Sequence, residues 1–226
     1  IGWWKFDECQ GSTVFDASGL GNTGAISIGL SGSQTSLGTC QTGTSAAWTN
    51  GATGKINSSL NFDGVDDYIS IPNVSQLKFG LNNFSISTWI KGPPSQANFR
   101  YIIIKTGSSR YSIETFGNNW FWRLDDDQAH VAQTTVTKTI LDNNWHMLTL
   151  VVDRTNQKAY SYTDGVLSTT PNNISSLIGD ISPPNNLFLG GTSYFSGQID
   201  DVRIYNYALT AEQIKTVYNN GAVNFQ

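Results

Sequence analysis

The chain has 226 residues, a net charge of −4 and only 13% charged residues, which excludes a basic surface of the kind that binds nucleic acid. No apolar stretch reaches the length of a membrane-spanning helix, so we expect no insertion into a bilayer. The 7 Trp, 9 Tyr and 11 Phe can still fill one large core, and we expect a single domain over residues 1–226.

Two cysteines, Cys9 and Cys40, lie near the start of the chain among Gly, Ser and Thr residues. Neither lies in an apolar run, and the sparse charge is typical of extracellular proteins, so we expect a disulfide between them. Closing this loop would stabilise the fold by about 3–4 kcal/mol. The alternative is a pair of free thiols.

Apolar residues alternate with polar ones along most of the chain, which predicts strands rather than helices. Turn signals such as Asp63-Gly64 and Asp164-Gly165 separate these segments. Many short strands with frequent turns are typical of a β-sandwich or β-barrel. The predicted strands are Trp3–Phe6, Ser59–Phe62, Tyr68–Ile71, Phe84–Lys91, Tyr101–Lys105, Arg110–Phe116, Trp120–Leu124, His146–Asp153, Lys158–Thr163, Asn186–Gly190 and Gly197–Tyr205.

One segment near the end of the chain, Thr210–Tyr218, has the pattern of an α-helix. Thr210 is a suitable N-cap, and Gln213 three residues later completes a capping box. Ile214 and Val217 lie on one apolar stripe, so we expect this short helix to pack against a sheet.

Five segments in this order resemble laminin-G-like jelly-roll domains of type 3, in the concanavalin A-like lectin/glucanase superfamily, in their bacterial secreted or surface form. They are Gly2–Glu8 (GWWKFDE), Asp16–Gly24 (DASGLGNTG), Ser59–Ile69 (SLNFDGVDDYI), Phe84–Ile90 (FSISTWI) and Gly197–Leu209 (GQIDDVRIYNYAL). The resemblance implies an all-β fold, a jelly-roll sandwich of two antiparallel sheets with one short C-terminal helix. It also implies that one structural Ca²⁺ is common in such domains.

The glycine-rich segment Asp16–Asn22 is our candidate for that calcium site. Ca²⁺ prefers six to eight hard oxygen ligands, often from a tight loop. The first and last strands of a jelly roll are neighbours, which would bring Asp200 or Asp201 to this loop. The alternative is an Asx turn, in which Asp16 bonds its own backbone. The predicted metal ligands are Asp16, Asn22, Asp200, Asp201 and Asp7.

A sugar-binding surface needs flat rings beside planar hydrogen-bonding groups. Along one predicted strand, Trp120 and Trp122 share one face, while Phe121 and Arg123 share the other; whichever pair faces outward would offer a ring for stacking. The alternative is that one pair lies in the core and the other only covers the surface. Our predicted ligand-binding residues are Trp120, Trp122, Tyr101, Arg123, His130 and Asp125.

Three adjacent carboxylates, Asp125, Asp126 and Asp127, form a second acidic cluster. Adjacent carboxylates repel one another unless water or a cation screens them. We interpret the cluster as a solvated hairpin tip, with a ligand or metal role as the alternative.

Glycoside hydrolysis on this fold needs two closely placed carboxyl groups. The three glutamates, Glu8, Glu114 and Glu212, are far apart in the sequence, so we expect a protein that is not an enzyme. We predict a secreted or cell-surface domain that binds carbohydrate, with protein as a further possible partner. The alternative is a structural or adhesive domain of a cell surface or filament that binds protein or no specific ligand.

Overall fold

The structure is a computed structural model that describes residues 1–41, 45–94 and 96–219. In these ranges the chain forms sixteen strands and two α-helices, α1 (Ala47–Asn50) and α2 (Ala211–Tyr218), with a 3₁₀ turn at Ser75–Leu77. The strands, in chain order, are β1 (Gly2–Trp4), β2 (Thr13–Val14), β3 (Gly24–Ser27), β4 (Leu60–Asp63), β5 (Tyr68–Ile71), β6 (Phe84–Lys91), β7 (Tyr101–Lys105), β8 (Arg110–Phe116), β9 (Asn119–Asp125), β10 (Val131–Val136), β11 (His146–Asp153), β12 (Lys158–Thr163), β13 (Val166–Leu167), β14 (Asn172–Asn173), β15 (Leu187–Leu189) and β16 (Ser196–Tyr205).

The strands form two antiparallel sheets of eight strands each. Sheet I has the order β1-β16-β6-β11-β12-β13, with β4 also paired to β16 and β14 to β12. Sheet II has the order β10-β9-β8-β7-β15-β5-β3-β2. The first strand pairs with the last, Trp4 opposite Val202, as the jelly-roll prediction requires. The predicted fold class, an all-β jelly-roll sandwich with a C-terminal helix, is confirmed.

The main core fills the space between the two sheets. Along β11, Leu148, Leu150 and Val152 face inward and are fully buried, whereas Met147 and Val151 face the other side of sheet I. Successive side chains along a strand point to opposite sides of the sheet, so apolar residues at every second position lie together on the inner face. The core is therefore built from the positions that alternation predicts.

Several predicted strands have the bounds that the structure shows, among them β6, β7, β8, β11 and β12. The edge strand β10 was not predicted, because its sequence, VAQTTV, lacks a clear alternation of apolar and polar residues. The two-residue strands at the sheet margins were missed for the same reason, since so few residues carry no periodic signal.

Helix α2 covers part of the outer face of sheet I. Thr210 caps the helix, and the reciprocal bonds with Gln213 form the predicted capping box. Ile214 and Val217 are buried against a second apolar cluster on the outside of sheet I. In that cluster, the rings of Trp89 and Tyr218 stack with their centroids 5.3 Å apart. The second cluster explains why a surface helix stays attached to the sandwich.

A β-bulge in β16 changes the side-chain alternation of the last strand. The pairing with β6 shifts between Asp200 and Arg203, and Asp201 adopts a positive φ of 47°. An extra residue in one strand reverses the side-chain alternation beyond it. As a result, Asp200 lies opposite Trp89 on the outer side of sheet I, and the carboxylate does not enter the main core.

The irregular segment between β3 and α1 is fastened to the sandwich in two ways. The disulfide between Cys9 and Cys40 is formed, which confirms the predicted pairing. Further along, Gly29 lies so close to the Asp66 carboxyl group that a Cβ would come within 1.8 Å of the Asp66 Cγ atom. A side chain at residue 29 would therefore force the Asp66 carboxyl group to move.

Candidate functional site

The rings of Trp120 and Trp122 are fully buried between the sheets, so the prediction that they bind a ligand is wrong. Trp120 donates its indole N–H to the Thr163 hydroxyl at 3.0 Å, and Trp122 donates to the Ser161 hydroxyl at 2.8 Å. Both partners lie on β12 of the opposite sheet. The two tryptophans therefore join the sheets, because each places its polar N–H against a buried acceptor.

The other side of β9 forms the floor of an open groove. Phe121 and Arg123 face outward there, as the alternative face of this strand allows. The groove has a volume of about 580 Å³ and crosses strands β7 to β10. Its lining side chains are Phe99, Tyr101, Arg110, Glu114, Phe116, Phe121, Arg123, Gln133 and Thr135.

One end of the groove is aromatic. The ring of Phe99 lies 5.2 Å from that of Phe116 and 5.5 Å from that of Phe121, measured between centroids. Phe99 comes from the segment before β7, and its backbone N–H donates to the Thr115 carbonyl at 2.7 Å. Phe99 is 44% exposed, so an apolar ring face is open to solvent at this end.

The other end of the groove is charged. The Nε of Arg123 donates to Asp125 Oδ1 at 2.7 Å, whereas the Nε of Arg110 lies 3.8 Å from Asp125 Oδ2. Asp125 thus sits at the end of the groove and orients Arg123 rather than lining the groove itself. Tyr101 lies beside Arg110, whose guanidinium carbon is 5.9 Å from the centre of the Tyr101 ring. Of the predicted ligand-binding residues, the structure brings Tyr101, Arg123 and Asp125 together.

Glu114 occupies the middle of the groove floor and is only 2% exposed. Burial raises the pKa of its carboxyl group, while the hydrogen bond from Ser112 and the charges of Arg110 and Arg123 act in the opposite direction. The Ser112 hydroxyl donates to Glu114 Oε1 at 2.5 Å. The protonated form of this acid is therefore more favoured than in an exposed glutamate.

His130 lies outside the groove, in the turn between β9 and β10. Its Nδ1 is 2.9 Å from Oδ2 of Asp126, whose carboxylate also accepts backbone N–H bonds, including that of Gly179 at 2.7 Å. Burial acts against ionisation, but these hydrogen bonds lower the pKa of Asp126 to about 2. Asp126 is therefore a turn-organising carboxylate, which corrects the picture of a solvated tip. His130 is not among the residues that line the groove, and its role in binding stays a prediction.

The predicted calcium ligands form hydrogen bonds with protein groups. Asp16 accepts hydrogen bonds from the backbone N–H groups of Trp3, Ser18 and Asn22 at 2.8–2.9 Å, and from the Ser18 hydroxyl. Against the effect of burial, these bonds lower the pKa of Asp16. This is the Asx turn that we weighed as the alternative. Asn22 turns its amide away from Asp16 and donates to the Ile1 carbonyl at 2.7 Å.

The remaining predicted ligands are held by other partners. Asp200 Oδ2 accepts the backbone N–H groups of residues 55 and 56, and Asp201 Oδ1 accepts the indole N–H of Trp3. Asp7 accepts a side-chain bond from Asn57. The ligand set predicted for calcium is therefore not assembled, and calcium binding itself stays a prediction.

A different carboxylate cluster went unrecognised in the sequence. Within the described ranges, Asp63, Asp66 and Asp67 are the one group of three such ligands whose oxygens all lie within 4.8 Å of one another. Burial raises the pKa of Asp67 to about 6. The oxygens accept bonds from the backbone of residues 29, 31 and 34 and from the Gln34 side chain. These bonds give the cluster a structural role, because it fixes the irregular segment after β3.

A second cavity, of about 630 Å³, lies near the first residue of the chain. Polar and apolar side chains are mixed in its lining, which includes three asparagines, Asn82, Asn83 and Asn206. It lacks both the ring cluster and the paired arginines of the sheet II groove. The groove on sheet II is therefore the stronger candidate for ligand binding.

The fold matches several solved toxin binding domains. The binding domain of Paraclostridial Mosquitocidal Protein 1 superposes with a TM-score of 0.73 at 15% identity, and that of botulinum neurotoxin serotype G with a TM-score of 0.72 at 17% identity. The serotype D domain, solved in complex with N-acetylneuraminic acid, has a TM-score of 0.70 at 17% identity. Each match covers 97% of this chain and 50–52% of the toxin chain. At these identities the likeness shows the fold alone.

A relative in sequence is Adhesion G-protein coupled receptor V1 of Danio rerio, 27% identical over 159 residues. The match covers 63% of this chain and 2% of the receptor, so the chain corresponds to a small piece of it. Across the described part of the chain, no helix combines the length and apolar character needed to cross a membrane. The family model for Laminin_G_3, described as the Concanavalin A-like lectin/glucanases superfamily, matches residues 63–215, more than half of the chain, and the protein therefore belongs to this family.

Proposed function

We propose that this protein is a non-catalytic, lectin-like domain that binds a glycan in the groove on sheet II. The observation that carries the proposal is the cluster of Phe99, Phe116 and Phe121 beside two arginines on one open face. Sugars present apolar C–H faces and rings of hydroxyl groups, which match aromatic side chains and planar polar groups respectively.

The groove also has the polar groups that would orient a sugar. Gln133 and Thr135 line it on β10, opposite Arg123 and Phe121 on β9. These side chains offer both donors and acceptors to hydroxyl groups. Glu114 is the single carboxyl group among the described lining residues, whereas glycosidases use two about 5–9 Å apart. The lining therefore favours binding over hydrolysis.

The family and its structural neighbours support a binding role in general terms. The neighbours are named as binding domains of toxins, and one was solved with N-acetylneuraminic acid. Since this chain spans about half of those domains, the sugar complex supports the class of ligand and says nothing of its position here. The disulfide and the adhesion-receptor relative support placement outside the cell or on its surface. We also propose that residues 1–226 form one domain.

A glycan array followed by calorimetric titration tests the proposal. We expect the wild-type protein to bind a subset of glycans with affinities in the micromolar to millimolar range, as is typical of shallow, wet sites. Phe99→Ala should weaken that binding about tenfold or more, because it removes the most exposed ring of the groove. The matched control is Phe15→Ala, which removes a 62% exposed ring outside the groove and should leave binding unchanged.

Parallel measurements with EDTA test whether calcium contributes to binding. Absence of glycan binding by the folded wild-type protein, or equal loss in both phenylalanine variants, would contradict the proposal. The first result would favour the alternative of a structural or adhesive domain that binds protein. That alternative has one supporting observation, the similarity to a short piece of an adhesion receptor.

A further inference from the structure

The two arginines of the groove differ in how their charge is compensated. Arg123 makes a close charge-assisted hydrogen bond to Asp125, with the Nε atom 2.7 Å from Oδ1. The Nε of Arg110 is 3.8 Å from the second oxygen of the same carboxylate, and this buried atom has no hydrogen-bond partner among the described residues. Asp125 thus forms a hydrogen bond with Arg123, whereas Arg110 has only a longer-range charge interaction with the same carboxylate.

No other acid in the groove replaces that missing partner. Glu114 lies on the same strand as Arg110, but it takes its hydrogen bond from Ser112 and lies on the groove floor. Tyr101 contributes the face of its ring to the Arg110 guanidinium. Among the described residues of the groove, the Nε of Arg110 is therefore left without a hydrogen-bonded carboxylate partner.

An arginine in this state is suited to a carboxylate ligand. Its planar group can donate two parallel N–H bonds to the two oxygens of a carboxylate, and charge-assisted bonds of this kind are stronger than bonds to neutral hydroxyl groups. The Arg110 side chain is 22% exposed and lines the groove, so part of it is accessible to a ligand. The Phe99 ring cluster lies in the same groove, where a sugar ring can pack.

We infer that the groove selects acidic glycans, with the carboxylate of a uronic or sialic acid residue bound by Arg110 and the sugar ring packed toward Phe99. This inference rests on the proposed function, since it names the class of glycan for the same groove. Arg110 is then the residue that determines specificity, and Arg123, already paired with Asp125, shapes the wall of the groove.

Paired glycans separate this inference from the proposed function. The probes are a tetramer of galacturonic acid and its carboxyl-reduced, neutral counterpart, together with sialyllactose and lactose. We expect the wild-type protein to bind at least one acidic member about tenfold or more tightly than its neutral partner. Equal or tighter binding of the neutral members would overturn the inference and leave glycan binding standing. Failure of all four probes and of the wider array would contradict both.

Three variants test the role of Arg110 directly. Arg110→Gln should remove the preference for the acidic member, and Arg110→Lys should restore only part of it, because an ammonium group lacks the planar pair of donors. Lys215→Gln is the matched control; it removes one positive charge from the exposed side of α2 and should change nothing. An acidic preference that survives in Arg110→Gln would overturn the assignment.

A change in the opposite direction is expected at Glu114. Glu114→Gln removes the neighbouring acid and should tighten binding of the acidic member relative to that of the neutral member. Circular dichroism melting curves verify that each variant is folded, so that a loss of binding can be assigned to the groove. Weaker binding of the acidic member by folded Glu114→Gln would contradict the proposed binding of the glycan carboxylate by Arg110.

Discussion

The outer faces of the two sheets are used differently. On sheet I, helix α2 and the Trp89 cluster cover the strands, and the side chains there are packed as in a core. On sheet II, the outer face of β7 to β10 is uncovered and carries rings, arginines and a buried acid in an open groove. The same alternation of side chains produces both faces, so what distinguishes them is the element that follows the last strand. We therefore expect substitutions on the covered face of sheet I to change mainly the stability of the fold. Substitutions in the groove of sheet II should change mainly ligand binding.

The strongest test of that separation removes packing under the helix. Ile214 is fully buried, and Ile214→Ala should lower the free energy of unfolding by about 2–4 kcal/mol through lost burial and the remaining cavity. For a chain of this size the melting temperature should fall by about 5–15 °C, measured by calorimetry. Phe99→Ala on the open face is the comparison and should cost less than about 1 kcal/mol. Similar losses of unfolding free energy in Ile214→Ala and Phe99→Ala would contradict the idea that the covered face provides stability and the open face provides binding.

A smaller effect is expected from Asp200, which lies buried on the covered face of sheet I. Burial and the charge of Asp201 raise the pKa of Asp200 to about 8, and its Oδ1 atom makes no hydrogen bond to the described residues. Since the folded state holds this proton more tightly than the unfolded state, stability is greatest at low pH and falls as the pH rises toward 8. Between pH 6 and pH 8 the loss should be about 2 kcal/mol.

Denaturant titration across this range checks the prediction. Asp200→Asn keeps the shape of the side chain and its bonds from residues 55 and 56, so its stability should vary much less with pH. Glu212→Gln, which changes an exposed acid on α2, is the control and should retain the wild-type slope. A wild-type slope that persists in Asp200→Asn would show that another group titrates.

The smallest effect is expected from His146, at the edge of the covered face. The hydrogen bond to Asp164, whose Oδ2 is 2.8 Å from the His146 Nδ1 atom, raises the pKa of His146, as does nearby Asp142. Its stabilisation is complete below the unfolded pKa near 6.5 and is lost as the pH rises through the higher folded value. For a partly exposed pair we expect less than about 1 kcal/mol.

Nuclear magnetic resonance titration of the His146 ring measures the pKa directly. Asp164→Asn should move that value back toward the one of a free histidine, since the amide carries no charge. His130, bonded to Asp126 on the other sheet, serves as an internal reference in the same spectra. No movement of the His146 pKa in the variant would contradict the role of Asp164.

The sequence predicted the fold well because its signals are local and repeated. Alternation of apolar and polar residues identified strands such as β11, and the Thr210 capping box identified the start of α2. It could not decide whether Trp122 or Phe121 faces inward, because both faces of β9 are rich in aromatic residues. The answer depends on Ser161, an acceptor on the opposite sheet that only the fold brings to Trp122.

The groove was harder to predict than the fold, because distant segments build it. Phe99 reaches the groove from the segment before β7, and Asp125 lies closer to Arg123 than to Arg110. Calcium binding stays a prediction, and the spacing of residues gave no signal of the bulge at Asp201, which places Asp200 on the outer side of sheet I. Hydrogen bonds between distant segments and bulges within strands determine where these side chains lie, and neither can be predicted from the spacing of residues in the sequence.

The position of the described chain ends has a practical consequence. The Ile1 amino group donates to the Ile204 carbonyl on β16, and α2 packs on the same sheet. Ile1 and helix α2 therefore both lie on the layer opposite the groove. A biosensor chip or bead coupled through the Ile1 amino group would present the groove to the solution, so immobilised protein can be compared with protein in free solution.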